Sequence, residues 1–448
     1  MSKTKVPIIA IVGRANVGKS SLFNSILSRR EAIVADEPGT TRDSIMAKAS
    51  FGEKDFWIVD TAGLKAAEDE FEFTIQEQIA QATDSADVIA VVVEAHLQIT
   101  EEDRRVAKMA LKSKKEVILV VNKIDKAKDS STEYWKKLGI KTIFATSAAH
   151  NGGVYELLGG LSKLLPPATI KEDDNKIVVS LLGRPNVGKS ALFNALGKKQ
   201  QAIVADRAGT TRDINRVSIK YMNQEIEILD TAGIRRSGKI EQGVEKFSVI
   251  RSLSAIEQSD VCLLLIDVNE LGVQLDQKIA GMIKEAGKGL ILVVSKWDSA
   301  KDKDAYTRDI LAPQIAHDFV FVPWAPLIFT SSVSGQNVTK IFDLVLDITK
   351  NRKNIVKTSV LNKWLQAVSR KHPPAGLKNK NPNLLYMIQE DNENPTFRVY
   401  GRDTKFLHWS YKRFMERELR NEFGFSGTPI KFWFFDRDRK DSNERRGV

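Results

Sequence analysis

The amino-acid sequence contains one glycine-rich pattern twice. The copies read Gly13-Arg-Ala-Asn-Val-Gly-Lys-Ser20 and Gly183-Arg-Pro-Asn-Val-Gly-Lys-Ser190. Each copy follows an apolar run and precedes a stretch that favours a helix, which is the context of a phosphate-binding loop. In such a loop, backbone N–H groups and a helix N-terminus surround an anion. The chain is therefore expected to contain two α/β units, each with a phosphate site.

The similarity between the two halves extends well beyond the phosphate loop. Four further segments recur in the same order: 31–43 as 201–213, 56–63 as 226–233, 117–125 as 290–298, and 143–148 as 328–333. A repeat of this length indicates a duplicated domain. In each copy, continuous β-rich apolar runs alternate with amphipathic stretches, which predicts a mostly parallel sheet with helices on both faces. The motifs follow the strands, so they should lie at the carboxyl edge where open α/β sheets bind ligands.

The domain boundaries follow from local composition. We expect a first α/β domain, an acidic linker opened by two prolines, a second α/β domain, a small basic α+β domain, and a disordered tail. These segments span 1–165, 166–175, 176–350, 351–436 and 437–448. The third segment is predicted to run helix, basic loop, strand, strand, helix, strand.

Charge distribution and cysteine content indicate the cellular compartment and the class of binding partner. Residues 351–448 hold 21 Lys and Arg against 11 Asp and Glu, whereas the whole chain has 68 against 57. Positive charge concentrated on one small domain predicts a polyanion as partner. The single cysteine, Cys262, excludes a disulfide framework and is expected to be a buried core thiol. No apolar run approaches the ~20 residues of a membrane span, and the N-terminus does not resemble a secretory signal, so we expect a cytoplasmic protein.

The polar residues that recur in both copies are of the types that bind a nucleoside triphosphate together with magnesium. Lys19 and Lys189 should reach the β- and γ-phosphates. Six oxygen-bearing residues are expected to hold magnesium, directly or through water: Ser20, Thr41, Asp60, Ser190, Thr211 and Asp230. The amides of Gly63 and Gly233 should sense the γ-phosphate, so that its loss releases both loops as a switch. We predict that the catalytic groups are Lys19, Thr41, Gly63, Lys189, Thr211 and Gly233.

A second pair of motifs predicts that the base is guanine. The carboxylates of Asp125 and Asp298 can accept the ring N–H and exocyclic amine hydrogens of guanine, for which adenine has no matching pair. Lys123 and Lys296 would pack their aliphatic stems over the base. The amides around Ala148 and Ser332 would face the guanine carbonyl oxygen.

In order and spacing, these motifs resemble those of small translation-factor-related GTPases. Two such domains followed by a short basic domain resemble the Der (EngA) family of bacterial double-GTPase ribosome-assembly factors. The resemblance implies a KH-like third domain and GTP hydrolysis coupled to maturation of the large (50S) ribosomal subunit. It implies nucleotide-gated binding to that subunit and its RNA, by a monomer with no DNA or membrane partner.

The expected GTP contacts are therefore residues of both copies. In the first they are Gly13, Arg14, Ala15, Asn16, Val17, Gly18, Lys19, Ser20, Ser21, Asp60, Thr61, Ala62, Gly63, Asn122, Lys123, Asp125, Ser147 and Ala148. In the second they are Gly183, Arg184, Pro185, Asn186, Val187, Gly188, Lys189, Ser190, Ala191, Asp230, Thr231, Ala232, Gly233, Ser295, Lys296, Asp298, Ser331 and Ser332.

Two features bear on the rate of hydrolysis. Leu64 and Ile234 stand where Ras-type enzymes place a glutamine that orients water, so intrinsic turnover should be slow, or absent if nothing else completes the site. Asn16 and Asn186 occupy the position at which similar potassium-activated GTPases ligate a monovalent cation. We expect potassium stimulation; the alternative is that these asparagines merely brace the loop.

The second base motif departs from the family pattern. Ser295 stands where the family usually has asparagine, as Asn122 does in the first copy. The shorter side chain predicts that guanine preference survives with weaker affinity. Glu94 also differs from its counterpart Asp267, and the sequence attaches no role to that difference.

The candidates for RNA contact lie in the basic domain. They are Arg370, Lys371, Lys378, Lys380, Lys412 and Arg413; the alternative is a merely solvated face. The stretch Gly424-Phe-Ser-Gly427 is in the wrong place for the Gly-x-x-Gly loop of KH domains and should instead cap a helix. Trp433 and Phe435 are expected to pack on a nucleotide domain or to stack RNA bases. The five histidines show no metal spacing.

Two other functions compete with this interpretation. One is a GTPase of tRNA modification, but such relatives carry a transfer domain and a reactive C-terminal cysteine that are absent from this sequence. The other is a scaffold whose second site binds GTP without turning it over, which Ser295 makes conceivable.

Overall fold

The computed structural model describes residues 3–4, 6–28, 46–52, 54–61, 86–127, 132–165, 170–171, 176–199, 215–230, 249–300, 304, 306–378 and 380–436. These residues form two compact units. One consists of Ser2–Asp174 with Val244–Gln258, and the other of Asn175–Gly243 with Ser259–Val448. Within the described ranges, no helix is both long and apolar enough to cross a membrane.

The first unit contains a six-stranded sheet in the order β3-β4-β2-β5-β6-β7. Its strands are β2 (Ile8–Val12), β3 (Met46–Phe51), β4 (Lys54–Asp60), β5 (Val88–Glu94), β6 (Glu116–Asn122) and β7 (Thr142–Ala145). All neighbours pair in parallel except β3 with β4. The predicted mostly parallel sheet is confirmed, with one antiparallel edge pair. Short strands β1 (Lys3–Thr4) and β8 (Ile170–Lys171) pair separately, so part of the predicted linker is hydrogen-bonded to the N-terminus.

The central strands are apolar along their whole length because both faces of this sheet are covered. All residues of β2 and β5 are buried. The helices of this unit are α1 (Lys19–Leu27), α2 (Glu101–Lys112) and α3 (Val154–Leu164). Leu22 and Leu158 pack into the core on one face of the sheet. A fourth helix, α5 (Val249–Gln258), belongs to this unit although it comes from the second repeat; buried Trp57 donates its indole N–H to Glu257 Oε1 at 2.6 Å.

The second sheet repeats the first in order and direction. Its order is β10-β11-β9-β12-β13-β14, with only β10 and β11 antiparallel. The strands are β9 (Lys176–Leu182), β10 (Asn215–Tyr221), β11 (Gln224–Asp230), β12 (Val261–Asp267), β13 (Gly289–Ser295) and β14 (Leu327–Phe329). The accompanying helices are α4 (Lys189–Lys199), α6 (Gln274–Glu285), α7 (Thr307–Asp318) and α8 (Lys340–Arg352). Cys262 is a buried thiol in β12, as predicted, and its sulfur accepts from Ser180 Oγ at 3.4 Å.

The C-terminal segment folds in the predicted element order. It comprises α9 (Thr358–Lys371), β15 (Asn383–Glu390), β16 (Thr396–Arg402), α10 (Trp409–Phe423) and β17 (Lys431–Asp436). The three strands form one sheet in chain order, antiparallel and then parallel. Its core includes Trp364, Phe397, Tyr411 and Met415, and it packs Phe432 and Phe434 against the same side, as the alternation in β17 predicts.

The C-terminal sheet is attached to the second sheet through buried polar contacts within one unit. Arg352, at the end of α8, is buried and donates to the carbonyl of Gly287 (2.8 Å), to Thr428 Oγ1 (3.2 Å) and to Asn394 Oδ1 (2.9 Å). Gly427 N donates to Trp324 O, and Gly427 O accepts from Leu290 N, at 2.8 and 2.9 Å. The two bonds of Gly427 connect the turn between α10 and β17 to Leu290 in β13 and to Trp324.

The Gly424–Gly427 turn performs two structural tasks. Gly424 has φ 86° and follows the last residue of α10, so the expectation that it caps the helix is confirmed. Gly427 has φ 75°, and a Cβ there would lie 2.2 Å from Ile348 Cγ1. The second glycine is therefore required by close packing as well as by its backbone conformation.

We predict that Gly427→Ala weakens the attachment of the C-terminal domain more than Gly424→Ala does. Both substitutions strain a left-handed backbone, but a Cβ at Gly424 meets nothing within 4 Å. The clash at Ile348 should cost about 1–3 kcal/mol in addition. Limited proteolysis between α8 and α9 measures the effect; equal cleavage rates in the two variants would contradict it.

Candidate nucleotide sites

Each phosphate loop joins a central strand to a helix, as predicted. β2 leads into the loop that ends at Lys19, and β9 leads into the loop that ends at Lys189. A Cβ on Gly13 would lie 2.5 Å from Val92 O, and one on Gly183 would lie 2.7 Å from Leu265 O. Only glycine lets the chain turn this close to the neighbouring strand.

The lysine of each loop is held at the loop's centre by backbone carbonyls. Lys19 Nζ donates to the carbonyls of Gly13 (2.8 Å) and Arg14 (2.7 Å). Lys189 Nζ makes the same two bonds to Gly183 (3.0 Å) and Arg184 (2.6 Å). Both lysines are buried. The curled backbone of the loop and the ammonium group of its lysine together form a cradle suited to an anion.

Two of the three predicted magnesium ligands of the first site, Ser20 and Asp60, lie together in the structure. Ser20, at the second position of α1, donates its hydroxyl to Asp60 Oδ2 at 2.5 Å, and Asp60 is buried at the end of β4. A hydroxyl beside a carboxylate is a hard-oxygen pair of the kind that magnesium uses together with water and phosphate oxygens. Asp230 is likewise buried at the end of β11. Among the described residues, no group of three or more His, Cys, Asp and Glu side chains is arranged to hold a metal ion.

The base-reading loop of the first site is braced by three side chains. Asn122 Nδ2 donates to Val17 O (3.1 Å), while its Oδ1 accepts from Ala148 N (3.1 Å) and Thr146 Oγ1 (3.2 Å). Ser147 Oγ donates to Asp125 Oδ1 at 2.5 Å. Asn122 therefore ties the phosphate loop to the loop that would face the guanine carbonyl.

Asp125 is poised as an anion. The hydrogen bond from Ser147 is the main reason that the pKa of Asp125 lies below its ordinary value, and the nearby charges of His150 and Lys126 act in the same direction. An ionised carboxylate accepts two hydrogen bonds, which is what recognition of guanine requires.

The second base-reading loop is braced differently. Ser295 Oγ donates to Val187 O at 2.6 Å, so it replaces one of the two functions of Asn122, the contact with the phosphate loop. Among the described residues of this site, no hydrogen bond joins Ser295 to residues 330–332. Ser331, the counterpart of Ser147, accepts from Ser334 N at 3.0 Å instead of contacting the aspartate. Above Gly188 the nearest atom a Cβ would meet is Ser295 Cβ at 4.0 Å, whereas above Gly18 it is Asn122 Nδ2 at 2.4 Å.

Both candidate potassium ligands have left-handed backbones. Asn16 has φ 65° and Asn186 has φ 62°, a conformation that asparagine tolerates better than most residues. Both side chains are exposed. The geometry is compatible with a cation ligand and with simple bracing of the loop.

Several predicted site residues lie outside the described part of the chain. These are Thr41, Ala62, Gly63, Leu64, Thr211, Thr231, Ala232, Gly233 and Ile234. Thr61 is described and donates its hydroxyl to Ile11 O at 2.7 Å. The sequence analysis missed the acidic partners of the loop arginines: Arg14 contacts Glu94 and Asp103, and Arg184 contacts Glu270 and Asp276. No local motif marks these pairs, because the partners lie about 80 to 90 positions further along the chain.

The six predicted RNA-contact residues are all exposed; four lie at the end of α9 and in the loop that follows it, and two lie at the start of α10. Arg370 and Lys371 end α9, and Tyr411 of α10 donates its hydroxyl to His372 O at 2.9 Å. The following basic loop is bonded to the residues just before α10, through Leu377 N to Phe406 O (2.8 Å) and His408 N to Ala375 O (2.9 Å). The structure thus brings the end of α9, the basic loop and the start of α10 together.

Comparison with known proteins agrees with this geometry. The family described as "50S ribosome-binding GTPase" matches residues 8–123 and 178–296, and the family described as "KH-domain-like of EngA bacterial GTPase enzymes, C-terminal" matches residues 356–434. The third domain is thus KH-like, as expected.

Full-length relatives are similar over nearly the whole chain. The protein named GTPase Der of Chloroflexus aggregans is 40% identical, over 97% of this chain and 99% of the relative. The GTPase Der of Agathobacter rectalis is 39% identical over 97% and 99%, and that of Staphylococcus haemolyticus is 38% identical over 95% and 98%.

We predict that exchanging the two base-loop residues exchanges the affinities of the sites. Asn122→Ser should weaken GDP binding at the first site by about three- to tenfold, because the bonds to Ala148 and Thr146 are lost. Ser295→Asn should strengthen the second site, where space exists above Gly188. Titration with a fluorescent GDP analogue measures both, with the other site silenced by Lys→Ala in its phosphate loop. Weaker binding in both variants would contradict the prediction.

Two phosphate cradles of the same geometry, two base-reading loops, a KH-like third domain and near-full-length similarity lead to one conclusion: the chain belongs to the GTPase Der family.

Proposed function

We propose that this protein is a GTP-driven switch that binds the large ribosomal subunit in one nucleotide state and acts in assembly of that subunit. As a member of the GTPase Der family, it is a GTPase. The observation that carries the site-level proposal is the paired phosphate cradle, in which Lys19 and Lys189 make matching bonds to loop carbonyls. We propose domain boundaries at 1–165, 176–350 and 351–436 for this function, and the ribosome as partner implies work in the cytoplasm.

Magnesium fits both sites as the companion of the nucleotide. Ser20 and Asp60 would hold it in the first site, and Ser190 and Asp230 in the second, with Thr41 and Thr211 added from outside the described residues. When bound, the ion supplies electrostatic stabilisation of the charge that develops on the phosphate oxygens. The chain's own contribution is the buried lysine, which stays positioned against the phosphates without reorganisation.

Recognition of guanine is proposed to rest on Asp125 and Asp298. In the first site Ser147 orients the Asp125 carboxylate, and Asn122 holds the neighbouring loop in place. In the second site Ser295 supports only the phosphate loop. This asymmetry supports tighter nucleotide binding by the first domain. Whether the second site turns GTP over or acts as a latch is tested by assaying Lys19→Ala and Lys189→Ala separately for GTP hydrolysis.

We predict that potassium stimulates GTP hydrolysis and that Asn16 mediates the effect at the first site. With the second site silenced by Lys189→Ala, Asn16→Gly keeps the left-handed backbone but removes the side-chain oxygen. Asn16→Asp keeps both the left-handed backbone and a side-chain oxygen. The wild-type rate should be about tenfold higher in potassium than in sodium, and only the glycine variant should lose the difference. Equal rates of the wild-type protein in the two salts would refute the proposal.

The ribosomal partner is proposed from the charge and shape of the C-terminal domain. The exposed basic cluster at α9, the following loop and α10 suits phosphate contacts. The sheet face that does not carry α9 and α10 presents a row of aromatic rings across its three strands. The rings are Tyr386, Tyr400 and Phe435, and the centroids of neighbouring rings are 6.2 and 5.4 Å apart. Trp433 and Phe435 are 41% and 40% exposed. Such rings can stack unpaired bases.

We predict that the protein co-sediments with large ribosomal subunits only with a non-hydrolysable GTP analogue, and not with GDP or without nucleotide. Lys371→Glu with Lys380→Glu should reduce this binding steeply, because two phosphate contacts become repulsive. Lys108→Glu with Lys112→Glu makes the same charge change on exposed positions of α2 and should leave binding intact. Equal sedimentation in all nucleotide states would overturn nucleotide gating, and equal losses in both double variants would overturn the assigned surface.

A further inference from the structure

We infer that Glu94 is a positioning residue that joins the phosphate loop of the first site to its base-reading loop, a role that rests on the nucleotide site proposed above. Glu94 is the last residue of β5, between the two loops. Its Oε2 accepts from Arg14 Nη2 at 3.1 Å, and its Oε1 accepts from Lys123 Nζ at 2.6 Å. Lys123 Nζ also donates to Asn16 O at 2.7 Å. One carboxylate therefore holds a side chain of each loop.

The part of the network formed by Glu94 and Arg14 is largely shielded from water, which strengthens it, whereas the Lys123 side chain is 27% exposed. The exposed fractions of the Glu94 and Arg14 side chains are 8% and 14%. Burial alone would raise the pKa of Glu94, but the hydrogen bond and charge of Lys123, with His96 and Arg14, hold that pKa below its ordinary value. The carboxylate is thus an anion at neutral pH between two cations.

The second site contains the same parts without this connection. Asp267 ends β12 and accepts from Lys296 Nζ at 2.6 Å through Oδ2. Its other oxygen, Oδ1, accepts from the backbone N–H of Asn269 at 3.0 Å and so turns back to its own loop. Arg184 is held elsewhere, by Glu270 and Asp276. The loop arginine and the base-motif lysine accordingly belong to separate ion-pair networks.

The cause of this difference lies at the start of the following helix. Asp103 forms a capping box with Thr100, whose N–H and hydroxyl both donate to Asp103 Oδ2, at 3.0 and 2.8 Å. Arg14 Nε approaches Asp103 Oδ1 at 3.3 Å but makes no well-aligned hydrogen bond. The corresponding Asp276 has no capping role, and Arg184 Nε lies 3.1 and 3.0 Å from its two oxygens. With Oδ2 of Asp103 in the helix cap, Arg14 keeps an ion pair with Oδ1 and donates its hydrogen bond to Glu94.

The Glu94 carboxylate can bond Arg14 and Lys123 at the same time because its side chain is long enough. An aspartate at this position is one methylene shorter, and Asp267 shows how such a residue behaves: one oxygen holds the lysine and the other caps the loop. Glu94→Asp should therefore keep the contact with Lys123 and break the contact with Arg14, which would retain only its ion pair with Asp103. The phosphate loop and the base-reading loop could then open independently, and the nucleotide would leave faster.

The test uses the full-length protein with Lys189→Ala, so that only the first site binds nucleotide. Dissociation of a fluorescent GDP analogue is measured by chase in Glu94→Asp and Glu94→Gln. The matched controls are Glu101→Asp and Glu101→Gln, which make the same changes on a side chain that is 92% exposed. Steady-state GTP hydrolysis and the unfolding midpoint of the nucleotide-free protein are measured in parallel.

We expect Glu94→Asp to accelerate dissociation about three- to tenfold, the effect of losing one partly buried ion pair. KM should rise while kcat stays the same, the unfolding midpoint should not move, and Glu94→Gln should accelerate dissociation further. A parental rate in Glu94→Asp would overturn the inference, as would a fall in unfolding midpoint that accompanies the faster release. If the parent protein itself bound no nucleotide at this site, the proposed function would fail instead.

Discussion

The close approach of each phosphate loop to the strand beside it is the constraint on which the rest of each α/β unit depends. The loop leaves a fully buried central strand and must turn at once, and at Gly13 the position of a Cβ is only 2.5 Å from Val92 O. Once the backbone turns this tightly, its carbonyls point inward and can be satisfied by Lys19. The same turn brings Asn122 and Asp60, at the ends of neighbouring strands, within hydrogen-bond distance of the loop or of α1.

The two copies share one fold but connect the phosphate loop to its surroundings through different side-chain bonds. Both keep the lysine and its two carbonyl bonds, because the shape of the loop requires them. They differ in the side chains that connect the loop to its surroundings. The first copy joins its loops through Asn122 and Glu94. In the second copy, Ser295 keeps only the bond to the phosphate loop, and Asp267 accepts one of its bonds from Asn269 of its own loop. The phosphate cradle is common to both copies, and the side-chain bonds around it differ.

Much of this architecture could be predicted from the sequence because it depends on local signals. Apolar runs predicted the parallel strands, the glycines predicted the tight turns, and alternation in β17 predicted which of its aromatic residues enter the core. The cap at Gly424 was predictable for the same reason. Ser20 and Asp60, 40 positions apart, were both expected at the magnesium site because a known motif specifies both, and the structure joins them by a hydrogen bond.

The contacts that no motif specifies could not be predicted. The hydrogen bond of Arg14 goes to Glu94, whereas that of Arg184 goes to Asp276, although the sequence carries an aspartate at the corresponding position of both copies. The attachment of the C-terminal domain depends on Arg352 finding the carbonyl of Gly287 and the side chain of Asn394. Helix α5 comes from the second repeat and packs in the unit of the first sheet, a choice made by tertiary packing and not by local propensity.

Strand β13 gives the second site a physical link to the C-terminal domain. Near its start, Leu290 N donates to Gly427 O of that domain, and at its end Ser295 donates to Val187 O of the phosphate loop. Between these two contacts the strand is bonded on both sides, to β12 and β14. One strand therefore connects the contact with the C-terminal domain to the contact with the phosphate loop. Ser295, which bonds the phosphate loop but not residues 330–332, therefore makes the phosphate loop the part of the second site to which the C-terminal domain is most directly joined.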